Sequence, residues 1–269
     1  MPLPVNRNAS PEGRVSAVVR ERVPLLPQPK YWLLWAIVLS AVVLAIGFTV
    51  KTVPGVTTSE LGVDQDLSLH HIAALTALAM TINTLFGPVG GACVIFVIAL
   101  YLFAVRKSLV RTIMFVLVAC SGWAASEVFK LIVARHRPNP ALLFDPLAPE
   151  TGSNSFPSGH TSFAVALAFA LYFLVRGTRW ATFTAWAGAV VAVVVAWSRL
   201  YVGVHYPSDV TASFFAATAA VIAMAGLWNR YAPRVLERRP LGSAEGDAAV
   251  QDATPGLAIA DGTTEGRGA

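Results

Sequence analysis

Three short stretches of this chain bring together residue types that do chemistry in company. FKLIVARHRPNP carries Lys130, Arg135 and Arg137. PSGH, at the head of the apolar run TSFAVALAFAL, carries Ser158, Gly159 and His160. SRLYVGVHYPSD carries Arg199, His205 and Asp209 directly after the apolar run AGAVVAVVVAW. Lys130 and Arg137 are seven residues apart, so on a continuous helix they would share a face about 10 Å apart along the axis and could hold opposite sides of an anion. Pro138 then favours leaving the helix. In PSGH, Ser158 suits a helix N-cap and Gly159 allows close approach of the backbone. The free amides and positive dipole end that follow suit a phosphate. His205 and Asp209 are four apart, one turn if helical, so the carboxylate could hold one imidazole nitrogen and leave the other as nucleophile or base.

Each stretch has a plainer reading by itself. Cations at a helix end snorkel to the membrane surface, PSGH can be an N-cap with an incidental histidine, and an interfacial histidine can simply be hydrogen-bonded. Two histidines, three cations and one carboxylate gathered on one face make a site suited to binding a phosphoryl group and transferring it. Arg135 and His136, between the two cations, are expected to be spectators or rim contacts. His70 and His71 are read as interfacial residues rather than ligands. Asp145 and Glu150 could shape access.

The elements that must position these residues are membrane helices. Hydrophobic residues make up 55% of the 269 and charged residues only 13%, which marks an integral membrane protein, all-α and polytopic. The net charge of +5 is spread over short loops and tails, the pattern of topology signals rather than of a nucleic-acid groove. Apolar runs of spanning length fall at about 32–50, 88–105, 110–130, 161–175, 180–197 and 208–228, giving six spans. The first lacks the short apolar core and small-residue cleavage site of a signal peptide, so it reads as an anchor. Cys93 and Cys120 lie inside apolar runs and are assigned no chemistry.

Basic residues at 7, 14, 20, 22 and 30, and again at 106, 107 and 111, should both be cytoplasmic, so an even number of crossings separates them. LSLHHIAALTALAMTINTLF, residues 67–86, is therefore expected to be an interfacial or re-entrant segment between spans 1 and 2, closed by Gly87, Pro88 and Gly90. Arg176 and Arg179 fall inside, as do Arg230, Arg234, Arg238 and Arg239. Both termini are then cytoplasmic and all three polar clusters face outside. The expected organisation is a disordered tail over 1–30, with a helical turn or two around SAVVRER, a six-helix domain over 31–230 and a second disordered tail over 231–269.

K-x6-RP from Lys130 to Pro138, PSGH from Pro157 to His160, and SR-x5-H-x3-D from Ser198 to Asp209 together resemble the three-part signature of the type 2 phosphatidic acid phosphatase family, which shares its site with vanadium haloperoxidases. The match is complete at every signature position; the tails and 51–87 lie outside it. The resemblance implies that His205 attacks phosphorus to give a phosphohistidine, that Asp209 fixes its tautomer, and that His160 protonates the leaving oxygen and then activates water. It implies that Lys130, Arg137 and Arg199 neutralise the phosphoryl oxygens, helped by Ser158 and the Gly159 amide, with no metal or other cofactor required.

The expected activity is removal of phosphate from a lipid phosphomonoester or diphosphate at the plasma membrane. Polyprenyl diphosphate is the preferred substrate class, with phosphatidate or phosphatidylglycerol phosphate next. No nucleic acid and no obligate protein partner is inferred. Two alternatives stay open: a lipid-phosphate binder or flippase without turnover, and vanadate-dependent halide oxidation, for which six spans fit poorly.

Overall fold

The computed structural model describes residues 23–148 and 150–236. Eight α-helices follow in chain order: α1 (Trp32–Thr52), α2 (Val56–Leu69), α3 (Ala73–Phe86), α4 (Pro88–Leu100), α5 (Leu109–Val133), α6 (Gly159–Val175), α7 (Ala181–Tyr201) and α8 (Pro207–Leu236). A π-turn over Tyr101–Val105 extends α4, and a 3-10 turn over Pro140–Leu142 lies in the long α5–α6 connection. No strand occurs among the described residues.

Among the described residues five helical stretches are long and apolar enough to cross a membrane: Trp32–Thr52, Pro88–Val105, Leu109–Val133, Ala181–Tyr201 and Pro207–Val235. Helix α6, with 17 residues, and α3, with 14, are shorter. At about 1.5 Å per residue α6 reaches about 26 Å, slightly less than the roughly 30 Å of hydrocarbon in a bilayer. Large apolar side chains face outward along these helices. Leu131 is 84% exposed, Val89 79% and Trp186 71%, which suits a lipid surround and would be costly in water.

Helix α6 is the centre of the bundle, packed against α5, α7 and α8, while α1 lies along α8. The core between them mixes Phe115, Val118, Phe163 and Val195 with many alanines, among them Ala166, Ala170 and Ala217. Such small residues let helix backbones approach closely where lipid supplies no hydrophobic drive. Gly122 marks one such close approach, since a Cβ there would lie 2.3 Å from the Ser162 carbonyl oxygen of α6.

Three expectations need correction. The 67–86 segment is not one piece, because the chain breaks at His70–Ile72 and forms two helices, α2 and α3, packed on α7. Helix α2 gives no apolar signal in the sequence because its buried residues are the polar Asp64 and Ser68. The tail boundaries also move outward, toward the two ends of the chain. Val23 and Leu26 are buried, the Leu26 backbone exchanges two 2.8 Å hydrogen bonds with the Asn229 side chain, and Trp228 Nε1 donates to the Pro24 carbonyl. At the other end, α8 runs on to Leu236. The expected disorder of 1–22 and 237–269, and the helical turns around SAVVRER, lie outside the described residues.

Candidate active site

The antiparallel run of α5 to α8 brings the end of α5, the start of α6, the end of α7 and the start of α8 to one end of the bundle. The other end carries Arg106, Lys107, Arg176, Arg179, Arg230 and Arg234. All three sequence clusters meet at the first end.

Helix α5 stops at Val133 with Ala134 left-handed, φ 49°. The expected continuous helix from Lys130 to Arg137 is therefore not formed. Residues 135–137 run extended instead, held by Arg137 N–H to the Gly152 carbonyl and Ser155 N–H to the Arg135 carbonyl, each 3.0 Å. Lys130 stays on the helix with Nζ 2.7 Å from Glu127, close enough to α6 that a Cβ on Gly159 would lie 3.3 Å from it. The Arg137 guanidinium reaches across the connection. It donates through Nε to Asn154 Oδ1 at 2.9 Å and through Nη1 to the Val204 carbonyl at 3.1 Å, and Nη1 lies 2.8 Å from Glu150 Oε2. Arg199 is fully buried at the end of α7, with Nη1 2.6 Å from Asn83 Oδ1 and Nη2 3.4 Å from Glu150 Oε1. One carboxylate, Glu150, thus sits between two guanidinium groups, where an anion is favoured.

Ser158 is the N-cap of α6, its Oγ accepting from the Thr161 amide, and it is wholly buried. Gly159 and His160 open the helix. His160 Nε2 lies 3.2 Å from the Asn83 carbonyl oxygen, which only accepts, so this nitrogen carries a proton.

Helix α8 begins at Pro207, the favoured first position. Asp209 reaches back to accept from the Tyr206 amide at 3.0 Å, a capping contact that fixes its carboxylate at the helix mouth. His205 precedes the helix. Its Nδ1 is 3.6 Å from Asp209 Oδ2, an ion-pair separation and not yet a hydrogen bond. Its Nε2 lies 3.4 Å from Arg137 Nη1. Arginine only donates, so Nε2 is the unprotonated nitrogen and the ring proton is on Nδ1, toward the carboxylate. Burial, reinforced by the nearby Arg137 and Arg199 charges and opposed by Asp209, pushes the His205 pKa down to about 4. The imidazole is neutral at physiological pH, with its Nε2 lone pair facing the Arg137 guanidinium. That is the state a nucleophile needs.

Lys130, Arg137, Ser158, Gly159, His160, Arg199, His205 and Asp209 are therefore brought together. Arg135, expected as a spectator, is instead 3% exposed with Nη1 2.6 Å from Asp209 Oδ1. A buried Asp209 charge needs a cation, and the extended chain after Ala134 turns Arg135 inward to supply it. Its neighbour His136 is exposed. His71 is largely buried, bridging Asp145 and the Tyr201 carbonyl at 2.8 Å each.

Glu60, Asp64 and Asn83, all on the α2–α3 pair, escaped the sequence reading. Only the NTLF turn ahead of Gly87 marked Asn83 as a polar residue near a helix end. Among the described residues no group of three or more His, Cys, Asp or Glu is arranged to hold a metal ion.

Residues 111–232 match the family model described as the PAP2 superfamily. The chain is 28% identical over 148 residues to undecaprenyl-diphosphatase BcrC of Bacillus subtilis, covering 55% of this chain and 72% of that one. It is 37% identical over 92 residues to an undecaprenyl-diphosphatase of Sulfolobus acidocaldarius, covering 33% and 41%. A lipid A 1-phosphatase of Rhizobium etli is 32% identical over 143 residues, covering 48% and 58%. The second and third of these are spanned over less than two thirds of their own length. The fold resembles a crystal structure of a transmembrane PAP2-type phosphatidylglycerolphosphate phosphatase from Bacillus subtilis, with TM-score 0.62 and 24% identity over 73% of this chain and 96% of that one. The family-model match runs from α5 through α8, where all three clusters lie, so the chain is a multi-pass membrane protein that over this region is similar to the PAP2 superfamily.

Proposed function

We propose that the protein hydrolyses a lipid phosphomonoester or diphosphate through a phosphohistidine on His205. The observation that carries this reading is the meeting of Arg137 and Arg199 on one carboxylate, Glu150, beside the unprotonated Nε2 of His205. A phosphoryl group displacing that carboxylate would find two guanidinium groups, the Lys130 ammonium and the α6 N-terminus around its oxygens. The His205 Nε2 lone pair forms the bond to phosphorus as the bond to the leaving oxygen breaks. His160, charged as imidazolium once the phosphate anion lies beside it, gives that oxygen a proton and becomes neutral, releasing the lipid alcohol or lipid monophosphate. A water then attacks the phosphorus, His160 takes the water's proton, and the phosphorus–nitrogen bond breaks to restore neutral His205 and release phosphate. Throughout, Asp209 faces Nδ1–H, holding the tautomer and stabilising the positive charge that develops.

Polyprenyl diphosphate is the favoured substrate class, supported by relatives named for undecaprenyl diphosphate. Phosphatidylglycerol phosphate and phosphatidate are the nearest competitors. The test is phosphate release by purified protein in detergent with EDTA, offered each of the three, beside His205→Ala. Release that survives the chelator and vanishes in the variant supports the reading. No release from folded parent protein with any of the three refutes it in favour of a non-hydrolytic binder.

The basic residues at the end of the bundle away from the site support a cytoplasmic placement for that end, with both termini inside. On this reading α6 is a short sixth span, α2 and α3 lie at the outer interface, and the site faces outside at the plasma membrane. Cysteines introduced for Asn139 and Thr178 test it: a membrane-impermeant maleimide on intact cells should label the first only, and the reverse pattern would invert the topology.

A further inference from the structure

We infer that Arg135 and Glu60 are positioning residues for His205, acting through Asp209, so that the reactive unit extends from α8 into α2. This rests on the phosphohistidine reading above. The Asp209 carboxylate is wholly buried, and neither oxygen is free. Oδ1 takes Arg135 Nη1 at 2.6 Å. Oδ2 takes the Ser155 hydroxyl and the Tyr206 amide, and this is the oxygen that faces His205 Nδ1. The carboxylate's orientation toward the histidine is therefore set jointly, by Arg135 on Oδ1 and by Ser155 and the Tyr206 amide on Oδ2.

Arg135 is in turn held through both terminal nitrogens, while its buried Nε has no hydrogen-bond partner. Nη1 also donates to Ser208 Oγ at 2.7 Å, and Nη2 donates to Glu60 Oε2 at 2.7 Å and Thr57 Oγ1 at 3.1 Å. The guanidinium carbon stands 4.0 Å from the Tyr206 ring centroid. Glu60 completes the frame by accepting from the Ser208 amide at 2.8 Å and the Ser208 hydroxyl at 2.9 Å, in the first turn of α8. Its side chain is 16% exposed and that of Arg135 3%. One planar guanidinium thus bridges two carboxylates, a geometry that lysine's single point of charge does not reproduce.

The bridge also has an electrostatic consequence. Sharing Arg135 with Glu60 leaves Asp209 more of its negative charge to face Nδ1–H. The charged and titratable groups around His205 are Asp209 on α8, Tyr206 just before it, Lys130 on α5, Arg135 and Arg137 after α5, Arg199 on α7, His160 on α6, Glu60 and Asp64 on α2, and Glu150 in the connection. Neutralising Glu60 turns Arg135 wholly toward Asp209 and makes these surroundings more positive. The imidazolium is then less favoured and Asp209 stabilises the transition state less well.

The experiment uses the full chain in detergent, with the lipid phosphate that the parent hydrolyses best. For Glu60→Gln the expected result is kcat down about tenfold with KM within about twofold, a magnitude usual for outer partners of a reactive group. The acid limb of kcat/KM should also move to lower pH. Arg135→Lys should lose about a hundredfold in kcat, because it retains charge without the bridge. If Arg135→Lys does not fold, Glu60→Gln decides alone. A parent that turns over while Glu60→Gln keeps its kcat and its acid limb, losing only thermal stability, overturns the inference and leaves the proposed function standing. A folded parent that releases no phosphate overturns both.

Discussion

Every group that would touch phosphate stands at an end of α5 to α8, whereas many of the groups that hold those ends come from α2 and α3. The first region supplies Lys130, Arg137, His160, Arg199 and His205. The second supplies Glu60, which caps α8 and shares Arg135 with Asp209, and Asn83, which holds Arg199 through its side chain and His160 through its carbonyl. The difference is one of distance from the chemistry. Groups that touch the phosphoryl oxygens are constrained by charge and reach. Groups behind them need only satisfy a buried polar atom, and a helix pair laid across the bundle end can do that from outside the bundle.

The comparison breaks if a residue of the bundle proves dispensable. His205→Ala should abolish phosphate release, a loss of at least about a thousandfold for a covalent nucleophile. It should also abolish acid-labile radiolabel on the protein after rapid quenching with labelled substrate. Persistent labelling in the variant would move the nucleophile elsewhere.

A smaller loss should follow on the α2–α3 side. Asn83→Ala leaves Arg199 Nη1 without its 2.6 Å acceptor in a wholly buried setting, so the guanidinium is free to turn away. An expected drop of about tenfold to a hundredfold in kcat/KM corresponds to roughly 1.4–2.7 kcal/mol of transition-state stabilisation. Because the carbonyl that meets His160 is backbone, it survives the substitution. The loss should therefore appear mainly as weaker binding of phosphate analogues, and unchanged vanadate inhibition would count against an Arg199 defect.

Glu150 tests the boundary between the regions from the other direction. It occupies the space between Arg137 and Arg199 at 2.8 and 3.4 Å and is 39% exposed, so it competes with any incoming anion. Glu150→Gln should lower KM and the inhibition constant of inorganic phosphate several-fold, with kcat little changed, since it removes a competing carboxylate from two buried guanidinium groups and leaves the reacting atoms untouched. A raised KM would make Glu150 a substrate contact and not a competitor. In the parent, the acid limb of kcat/KM should fall near pH 4, below the ordinary histidine range near 6.5, because buried His205 resists protonation.

The two regions also differ in how far the sequence discloses them. The three clusters were legible because each joins charge to an apolar run, and their spacing resembles a known signature. Their convergence followed from alternating helix directions. The local geometry did not follow: the left-handed Ala134 that ends α5 early and swings Arg135 inward has no marker in VARHRP. Helix α2 was illegible for a different reason. Periodicity finds helices by their apolar stripe, and the buried face of VTTSELGVDQDLSL is made of Asp64 and Ser68, so a pattern search sees a polar linker. Glu60 looked like one more loop acid, its role visible only once Ser208 and Arg135 stood beside it.

Asp64 sharpens this contrast at the smallest scale of activity. It is wholly buried on α2, and neither side-chain oxygen has a hydrogen-bond partner. Burial first, then the Asp209 and Glu60 charges, push its pKa up to about 8, with Arg135 opposing. The folded protein thus holds a proton there that the unfolded chain releases near the ordinary value of 3.8. Between pH of about 4 and about 8 unfolding releases that proton, so this group makes stability fall as pH rises through the window, with the full loss reached above the folded value. Asp64→Asn keeps the shape without the ionisation. Its melting temperature should therefore gain on the parent's as pH is raised from 5 to 8, while kcat stays within about twofold because Asp64 has no hydrogen bond to Asp209 or Arg135. Thermal unfolding of the two proteins in one detergent at both pH values measures it, and parallel melting curves would mean that Asp64 is ionised in the folded state, with Arg135 serving three carboxylates instead of two.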